Sequence, residues 1–356
     1  MPLRVMVDAR PLSNPQPGGY RSALLSLLDG LRMHDGAPRL LLLVDRPLDA
    51  PDLRRLPPGA ELVRIQRNRI VADLAGIPAA VRRLRPDLIH GTANYLPPVG
   101  SVPGVATLFD NVLLHRWPWS RSRTVRQRAM DAWWRVSMRR TARSAACILV
   151  PCEGVAADLR NDFPSADRRI RVVAPGLRDL PPPTAIRDAR TVLIVDGGDP
   201  RKHVAETLPV LVDAATRGEF QLRVVRTRGG RSAARSPEGV VVRSAPDDEG
   251  WSNELARATT LVHPTLREGF GLPPLEAMRA GAAVVAGRVP HLGETLGDVP
   301  FECDPLDPSS VLAAVRRSLH DATARGERLA RGAAWAGRHT PYRQASQTLD
   351  AWSRVA

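Results

Sequence analysis

The stretch EGFGLPPLE, residues 268–276, decides how this chain of 356 residues is interpreted. It follows the apolar run Thr260–Val262, which is typical of a buried strand, and its pair of prolines is tolerated in the first turn of a helix. Gly269 and Gly271 allow the backbone to approach a ligand closely. The stretch therefore predicts a strand, a loop and a helix start whose free amides face an anionic oxygen.

Two carboxylates frame this stretch. Glu268 lies in the predicted loop, and Glu276 lies near the first turn of the predicted helix. A carboxylate so placed accepts two hydrogen bonds from a vicinal diol, and a sugar nucleotide offers such diols on its hexose and its ribose. The alternative is that both are ordinary solvated carboxylates.

Outward from this stretch, short apolar runs alternate with helix-like segments along the whole chain. The runs are continuous rather than alternating, which indicates strands buried on both faces of a parallel sheet. The predicted strands are Leu3–Val7, Leu40–Val44, Leu62–Ile65, Asp87–Ile89, Val105–Leu108, Cys147–Val150, Arg171–Val173, Val192–Val195, Gln221–Val225, Val240–Val242, Thr260–Val262, Ala283–Ala286 and Phe301–Cys303.

A proline triplet within Arg178–Thr184 marks the break between two domains, because consecutive prolines form a stiff, extended linker. We predict two doubly wound α/β domains, residues 1–182 and 183–340, followed by a C-terminal helix over 341–356 that packs back on the N-terminal domain. Leu349 and Trp352 would share one face of that helix. Two such domains face a cleft, and open α/β sheets bind ligands at the carboxyl ends of their strands.

Composition bounds the remaining possibilities. The net charge of +14 admits anionic partners, and no apolar run reaches the roughly 18 residues that a membrane span needs. The N-terminus lacks the layout of a signal peptide, so we expect a cytoplasmic protein. The three cysteines, Cys147, Cys152 and Cys303, have neither metal-site nor disulfide spacing and are interpreted as small buried residues.

Lys202 is the single lysine in the sequence, and every other cation besides histidine is arginine. A bias of this kind raises the isoelectric point without implying function. It also makes Lys202 conspicuous, because a compact ammonium at a catalytic or phosphate-binding position is poorly replaced by a fork-shaped guanidinium. Chance retention is the alternative.

With these motifs in hand, residues 268–276 resemble the Glu-x7-Glu signature of the retaining glycosyltransferases of family 4, which have the two-domain GT-B fold. Each further similarity is weak by itself, but their order along the chain is specific to that family. The other segments that resemble the family are Val7–Leu12 with Gly18-Gly19, Asp87–Thr92, Val172–Gly176, Asp196–His203 and Gly293–Pro305.

The resemblance implies roles for individual residues. Glu276 would bind the ribose hydroxyls and Glu268 the transferred sugar, while Arg201 and Lys202 would hold the diphosphate and neutralise its charge as it departs. The implied donor-binding set is Gly18, Gly19, Phe270, Gly271, Leu272 and Glu276, and the implied catalytic set is Lys202, Arg201, Glu268 and Asp110. The family does not usually need a metal, and no Asp-x-Asp occurs in the expected loop, so no metal and no cofactor are predicted.

One position departs from the family. Where the family commonly has Thr-x-His-Asp at the end of a strand, this chain has Thr107-Leu108-Phe109-Asp110, and phenylalanine neither donates nor accepts a proton. Asp110 remains, either as an acceptor contact or as a cap of a turn. The departure leaves open a protein that binds the donor and catalyses poorly.

Residues 116–143 form a basic and aromatic segment with nine arginines, one acid and four of the seven tryptophans, Trp117, Trp119, Trp133 and Trp134. A helix from about Thr124 would place Val125, Ala129, Ala132 and Val136 on one stripe, with Arg128, Arg135 and Arg139 beside it. Tryptophan with arginine suits peripheral contact with the inner face of a membrane or a phosphorylated acceptor. A solvated helix with buried tryptophans is the alternative; no nucleic-acid module accompanies the segment, and no nucleic-acid partner is predicted.

The sequence thus predicts a retaining hexosyltransferase that uses a nucleotide-diphosphate sugar. Its acceptor would be a glycan, a lipid-linked molecule or a small molecule, as in polysaccharide biosynthesis. Mannose-type donors are favoured because the loop Asp199–Lys202 resembles that branch. The other hypotheses are a catalytically weak sugar-nucleotide-binding GT-B protein and another GT-B enzyme, a phosphorylase or an epimerase.

Overall fold

The computed structural model describes residues 3–13, 18–98, 100–115, 124–227, 237–244 and 247–356, without the side chains of 125–127 and 129. The chain forms two compact units. Unit 1 contains the N-terminal strand, Gly19–Arg178 and His339–Ala356, and unit 2 contains Asp179–Arg338. The crossing from unit 1 to unit 2 therefore falls four residues before the boundary expected from the proline triplet.

Unit 1 is built on a parallel sheet of seven strands in the order β3-β2-β1-β4-β5-β6-β7. The order reverses between β1 and β4, and in doubly wound sheets such a reversal opens a crevice at the carboxyl ends of the strands. The strands are β1 Arg4–Asp8, β2 Arg39–Val44, β3 Glu61–Arg64, β4 Leu88–Gly91, β5 Gly104–Thr107, β6 Cys147–Val150 and β7 Ile170–Val172.

The helices of unit 1 follow the carboxyl ends of these strands, as the alternating pattern predicts. Helix α4 continues through a π turn, Ala72–Gly76, into α5, and short 3₁₀ turns occupy Val112–Leu114 and Pro164–Arg169. The helices are α1 Arg10–Ser13, α2 Gly19–Leu31, α3 Ala50–Arg54, α4 Arg69–Val71, α5 Ile77–Leu84, α6 Val125–Ser144 and α7 Glu153–Asp162.

Unit 2 repeats the design with a parallel sheet of six strands in the order β10-β9-β8-β11-β12-β13, which reverses between β8 and β11. Its strands are β8 Thr191–Asp196, β9 Gln221–Arg226, β10 Val240–Ser244, β11 Thr260–His263, β12 Ala283–Gly287 and β13 Phe301–Cys303. Its helices are α8 Val204–Thr216, α9 Asp248–Arg257, α10 Leu272–Arg279, α11 Pro290–Leu296, α12 Pro308–His320 and α13 Ala322–Ala336, with a 3₁₀ turn at Pro200–Lys202.

The C-terminal helix α14, Pro341–Ser353, belongs to unit 1 and packs against α2. Trp352 is completely buried in the core that contains the apolar face of α2. Gly30 permits the contact, since a Cβ atom there would lie 2.0 Å from the carbonyl oxygen of Pro341. The prediction that the C-terminal helix packs back on the N-terminal domain is therefore confirmed.

All thirteen predicted apolar runs are strands, with ends shifted by at most two residues, and the predicted pair of doubly wound, Rossmann-like α/β domains is confirmed. Cys147, Cys152 and Cys303 are buried free thiols, as predicted. Among the described residues, no helix combines the length and the hydropathy that crossing a bilayer requires.

Candidate active site

The candidate site in unit 2 lies where its strand order reverses. The loop after β8 carries Lys202, and the loop after the neighbouring strand β11 carries Glu268. Parallel strands end at the same edge of a sheet, so the two loops meet. They are joined by the Leu266 amide, which donates to the carbonyl oxygen of Arg201 at 2.8 Å.

The loop that presents Lys202 is shaped by Asp199. One carboxylate oxygen accepts the backbone N–H of Arg201 at 3.1 Å, and the other accepts the Arg201 Nε at 2.7 Å. His203 follows in the left-handed region, with φ of 52°, and ends the 3₁₀ turn before α8 begins. Arg201 and Lys202 therefore lie on a turn of defined shape, and the guanidinium of Arg201 is paired within that turn.

Glu268 is the centre of a cluster of charged and polar groups. Its Oε2 forms an ion pair with the Nζ of Lys202 and lies 3.0 Å from the Nε2 of His263, the last residue of β11. The carbonyl oxygen of Glu268 lies 2.8 Å from the Nδ1 of His291 on α11. Backbone and side chain of Glu268 are thus both held in place.

Electrostatics fix the charge states in this cluster. Burial by itself would raise the pKa of Glu268, but the charge of Lys202, the hydrogen bond from His263 and the charge of Arg201 hold that pKa well below its usual 4.5. Burial and the charge of Lys202 lower the pKa of His263 from 6.5, against the opposing effect of Glu268. At neutral pH the cluster therefore contains a carboxylate, an ammonium and a neutral imidazole that donates through Nε2.

Glu276, in the second turn of α10, has a separate partner. The indole Nε1 of Trp251, on α9, donates to the Oε2 of Glu276 at 2.9 Å, and Glu276 is only 5% exposed. A cavity of about 440 Å³ adjoins this pair and is lined by Glu276, Arg279, Ser252 and residues 179–183. The two glutamates of the sequence signature therefore lie in different surroundings, one among cations and the other beside an indole.

The glycine loop between them has the expected geometry. Gly271 adopts φ of 91°, which favours glycine, and it directly precedes Leu272, the first residue of α10. A Cβ atom at Gly271 would lie 2.9 Å from Leu292 Cδ2, so any larger residue there is crowded as well as strained. Phe270 and Leu272 are buried, which leaves main-chain amides as the groups that this segment presents to an anion.

Unit 1 places Asp110 in a turn just after β5. The Oδ1 of Asp110 accepts the Val112 amide at 3.3 Å and lies 3.5 Å from the Asn94 amide nitrogen. The backbone N–H of Phe109 donates to the Oδ1 of Asn94 at 2.5 Å, and the Phe109 ring lies 5.2 Å from the ring of Tyr20. The Asp110 side chain thus accepts the first amide of the 3₁₀ turn Val112–Leu114, while a role towards the acceptor stays a prediction.

The predicted glycine loop at the start of α2 is described only in part. Gly18 precedes the helix with open space where a Cβ would be, and Gly19 is the first residue of α2. The preceding residues 14–17 lie outside the described part of the chain. The donor-binding role of Gly18 and Gly19 stays a prediction.

The predicted basic and aromatic helix is present as α6. Trp117 and Trp119 lie outside the described residues, whereas Trp133 and Trp134 are half-buried beside Tyr95. Ala132 and Val136 of the predicted stripe are exposed, and the buried face of α6 instead carries Ser137, Met138, Thr141 and Ala142.

Sequence reasoning missed His263, His291 and Trp251 as members of the site. His263 ends the strand that precedes the stretch 268–276, and its place five residues before Glu268 is a usable signal. Trp251 and His291 are distant in sequence from their partners and carry no such signal. Within the described residues, no group of three or more His, Cys, Asp or Glu side chains is arranged to hold a metal ion, and the metal requirement stays untested.

Two protein-family models match this chain, one over each unit. The model described as "Glycosyltransferase Family 4" matches residues 17–179, and the model described as "Glycosyl transferases group 1" matches residues 199–321. The chain belongs to the family 4 glycosyltransferases. The two matches follow the two units of the structure, and the second includes both glutamates and Lys202.

Individual family members show how far the similarity extends. The O-antigen chain mannosyltransferase B of Escherichia coli is 39% identical over 105 residues, which are 30% of this chain and 28% of that protein. The MMP alpha-(1->4)-mannosyltransferase of Mycolicibacterium hassiacum is 27% identical over 226 residues, 57% of this chain and 54% of that protein. The matches therefore span less than two thirds of either relative.

Among solved structures, the sucrose-phosphate synthase of Thermosynechococcus elongatus superposes with a TM-score of 0.72 at 18% identity, with 99% of both chains covered. At this identity the similarity establishes the fold, which is GT-B.

Proposed function

We propose that this protein is a retaining hexosyltransferase that transfers a sugar, mannose in the first instance, from a nucleotide-diphosphate donor to a glycan, lipid-linked or small-molecule acceptor. The observation that carries the proposal is the cluster of Glu268, Lys202 and His263, with Glu276 on the helix that follows the same loop. Mannose is favoured because the relatives that match at 39% identity over 105 residues and at 27% identity over 226 residues are named as mannosyltransferases.

In the proposed reaction, the bond between the anomeric carbon and the diphosphate oxygen breaks, and a bond from that carbon to an acceptor oxygen forms on the same face. The acceptor proton passes to an oxygen of the departing diphosphate. Negative charge grows on that diphosphate in the transition state, where Lys202 and Arg201 stabilise it. Glu268, held ionised, accepts hydrogen bonds from hydroxyls of the transferred sugar.

Glu276 is proposed to bind the ribose of the nucleotide. Its burial supports this role, since the hydrogen bonds that a buried carboxylate accepts from a diol are stronger in a site of low dielectric. The amides of residues 270–272, at the start of α10, are proposed to contact the sugar or the phosphates. No metal is proposed as part of the site.

The first experiment measures the melting temperature of the purified chain against a panel of nucleoside diphosphates, followed by nucleotide release from the matching sugar donors. Binding to the folded state raises the melting temperature. Glu276→Ala should weaken nucleotide binding by roughly 1–3 kcal/mol, because it removes one partner of buried hydrogen bonds. Lys202→Arg should leave nucleotide affinity near the wild-type value and lower turnover, because a guanidinium does not occupy the position of the ammonium.

Three results would contradict parts of this proposal. Unchanged nucleotide affinity in Glu276→Ala removes the ribose assignment, and full turnover in Lys202→Arg removes the assignment of Lys202. Tight donor binding without transfer to any acceptor would instead support a catalytically weak donor-binding protein, the alternative that Phe109 motivates. Proton NMR of the product checks whether the anomeric configuration is retained.

A further inference from the structure

An exposed apolar surface lies on unit 1. Three of its residues belong to α4 and the π turn that follows: Ile70, Val71 and Leu74 are 59%, 45% and 73% exposed. Two belong to α6: Met130 and Val136 are 49% and 66% exposed. Large apolar side chains grouped on the surface mark an interaction site more often than singly scattered ones do.

The two parts of this surface are joined by Arg69. Its guanidinium lies 4.5 Å from the ring centre of Trp134 and 4.9 Å from that of Trp133, both on α6. Ile70 and Val71 directly follow Arg69 in the chain. Met130 precedes Trp133 and Trp134 by three and four residues, so it shares their side of α6. Arg69, Trp133 and Trp134 therefore connect α4 with α6, and we call these three residues together with the five exposed apolar ones the α4–α6 surface.

Buried ion pairs hold the α4–α6 surface in place. Arg10 bridges Asp8, the last residue of β1, and Asp73, in the π turn, with distances of 2.5 and 3.2 Å. Asp73 is buried while the adjacent Leu74 is exposed. Because the ion pair with Arg10 holds the Asp73 side chain inside the protein, the adjacent Leu74 side chain faces solvent.

The exposed apolar residues of α6 are not part of its core contact. The core contact of α6 is made in the second half of the helix, where Ser137, Met138, Thr141 and Ala142 are buried. On the outer side Ala132 and Val136 are exposed, and Arg128 and Arg139 beside them are exposed as well. The outer side of the helix thus presents apolar and basic side chains together to solvent.

The positive charge of this region, together with its apolar side chains, indicates which class of partner it binds. Residues 124–143 contain six arginines and a single acid, Asp131, and Arg67 adds an exposed cation beside α4. A nucleic acid would use the cations but would leave the apolar side chains without a role. An anionic lipid bilayer uses both, since apolar side chains enter below the headgroups while arginines bind the lipid phosphates.

We propose that the α4–α6 surface binds the surface of an anionic lipid bilayer. The surface lies beside Asp8 and Arg10, at the carboxyl end of β1, where doubly wound sheets bind their ligands. Binding there brings this edge of the sheet to the height of the headgroups. This proposal is independent of the donor site and of the sugar that is transferred.

Co-sedimentation of the full chain with vesicles tests the proposal. Vesicles of phosphatidylcholine alone are compared with vesicles containing 30 mol% phosphatidylglycerol, roughly the anionic share that gives a strong surface potential. We expect binding to the anionic vesicles that weakens as salt is raised. The double variant Ile70→Glu/Leu74→Glu, and Met130→Glu separately, should each reduce the partition coefficient by about tenfold or more, because each replaces a buried apolar contact by a charge.

Matched controls carry the same substitution elsewhere. Leu306→Glu and Met33→Glu alter side chains that are 68% and 61% exposed outside the α4–α6 surface, and each should bind vesicles to within about twofold of wild type. Melting temperatures of all variants establish that they fold. Arg128→Glu/Arg139→Glu should reduce binding to the anionic vesicles selectively.

The proposal is overturned if the wild-type chain does not bind anionic vesicles, or if the α4–α6 variants bind as well as the controls do. Equal loss in the controls and in the α4–α6 variants would show a nonspecific effect of charge and would overturn it too. Binding to duplex DNA that is lost only in the arginine variants, with no vesicle binding, would assign the surface to nucleic acid.

Discussion

At the scale of single residues, Glu268 connects one cation and two histidines. One oxygen of its carboxylate contacts both Lys202 and His263, and its carbonyl oxygen contacts His291. A carboxylate held in this way need not reorganise when a sugar arrives, and preorganised polar groups are the main source of electrostatic stabilisation in active sites. We therefore assign His263 as a positioning residue that acts through Glu268.

His263→Leu should lower kcat by about ten- to a hundredfold, because hydrogen bonds to charged groups contribute about 1.5–3 kcal/mol. The affinity for the nucleoside diphosphate alone should change little, since Glu276 is a separate part of the site. His263→Gln should recover much of kcat, because its side-chain amide places an N–H donor near the position of the imidazole Nε2. Steady-state kinetics and nucleotide titration measure the two effects.

A purely structural role for His263 predicts a different pattern. In that case both variants would lose melting temperature and nucleotide affinity together, and glutamine would rescue neither. Equal kcat values for His263→Leu and the wild type would remove the positioning role altogether.

At the scale of elements, a contact between α9 and α10 orients Glu276, the residue proposed to bind the nucleotide. The indole of Trp251 crosses from α9 to Glu276 on α10, and the two helices follow different strands of the sheet. The start of α10 is fixed by Gly271, which adopts the left-handed conformation just before the helix. The direction of the Glu276 carboxylate is therefore set jointly by a loop and by a neighbouring helix.

Trp251→Phe keeps an aromatic ring and removes only the N–H donor to Glu276. We expect nucleoside diphosphate affinity to fall by about threefold to thirtyfold, since the net value of one hydrogen bond to a charged group is lost in part or in full. Isothermal titration calorimetry measures this change.

Trp335→Phe is the matched control for Trp251→Phe. It removes an indole hydrogen bond of similar length, 2.8 Å to the carbonyl oxygen of Thr295, in the same unit. We expect a lower melting temperature but unchanged nucleotide affinity. If both variants lose affinity equally, the contact between Trp251 and Glu276 has no special part in binding.

At the scale of the whole molecule, stability depends on buried neutral histidines. His90, near the carboxyl end of β4, is 1% exposed, and its Nε2 lies 2.8 Å from the Thr107 hydroxyl. Its ring meets the edge of Trp352 from α14 at 5.6 Å. Burial lowers the pKa of His90 from 6.5 to about 3, against the raising effect of the Asp8 charge.

Because the folded pKa of His90 is the lower one, the unfolded chain takes up the proton first as the pH falls. The free energy of unfolding should therefore decrease below pH 6.5, by up to about 1.36 kcal/mol per pH unit from this group, until the folded pKa is reached. Urea midpoints between pH 7.5 and pH 4.5 measure the slope. His90→Gln should reduce it, and an unchanged slope in that variant would show that His90 titrates normally.

Much of the fold was predictable because its signals are local. Most strands are short, largely apolar runs, and the proline triplet separates the units to within four residues. The apolar stripe of α6 shows where local pattern fails, because Ala132 and Val136 share a side of the helix that faces solvent. Helical periodicity shows which residues share a face, but whether that face is buried depends on the elements around it.

The sequence by itself determined the two doubly wound domains, which residues form each strand, and the two loops that carry Glu268 and Lys202. These follow from apolar periodicity, proline and glycine positions and a single lysine, all of which act over a few neighbouring residues. Only the tertiary structure decided that Lys202 meets Glu268 across 66 residues, that Trp251 meets Glu276, and that α14 returns to α2. Such meetings depend on the order of strands in a sheet and on the packing of helices against it, which no local pattern specifies.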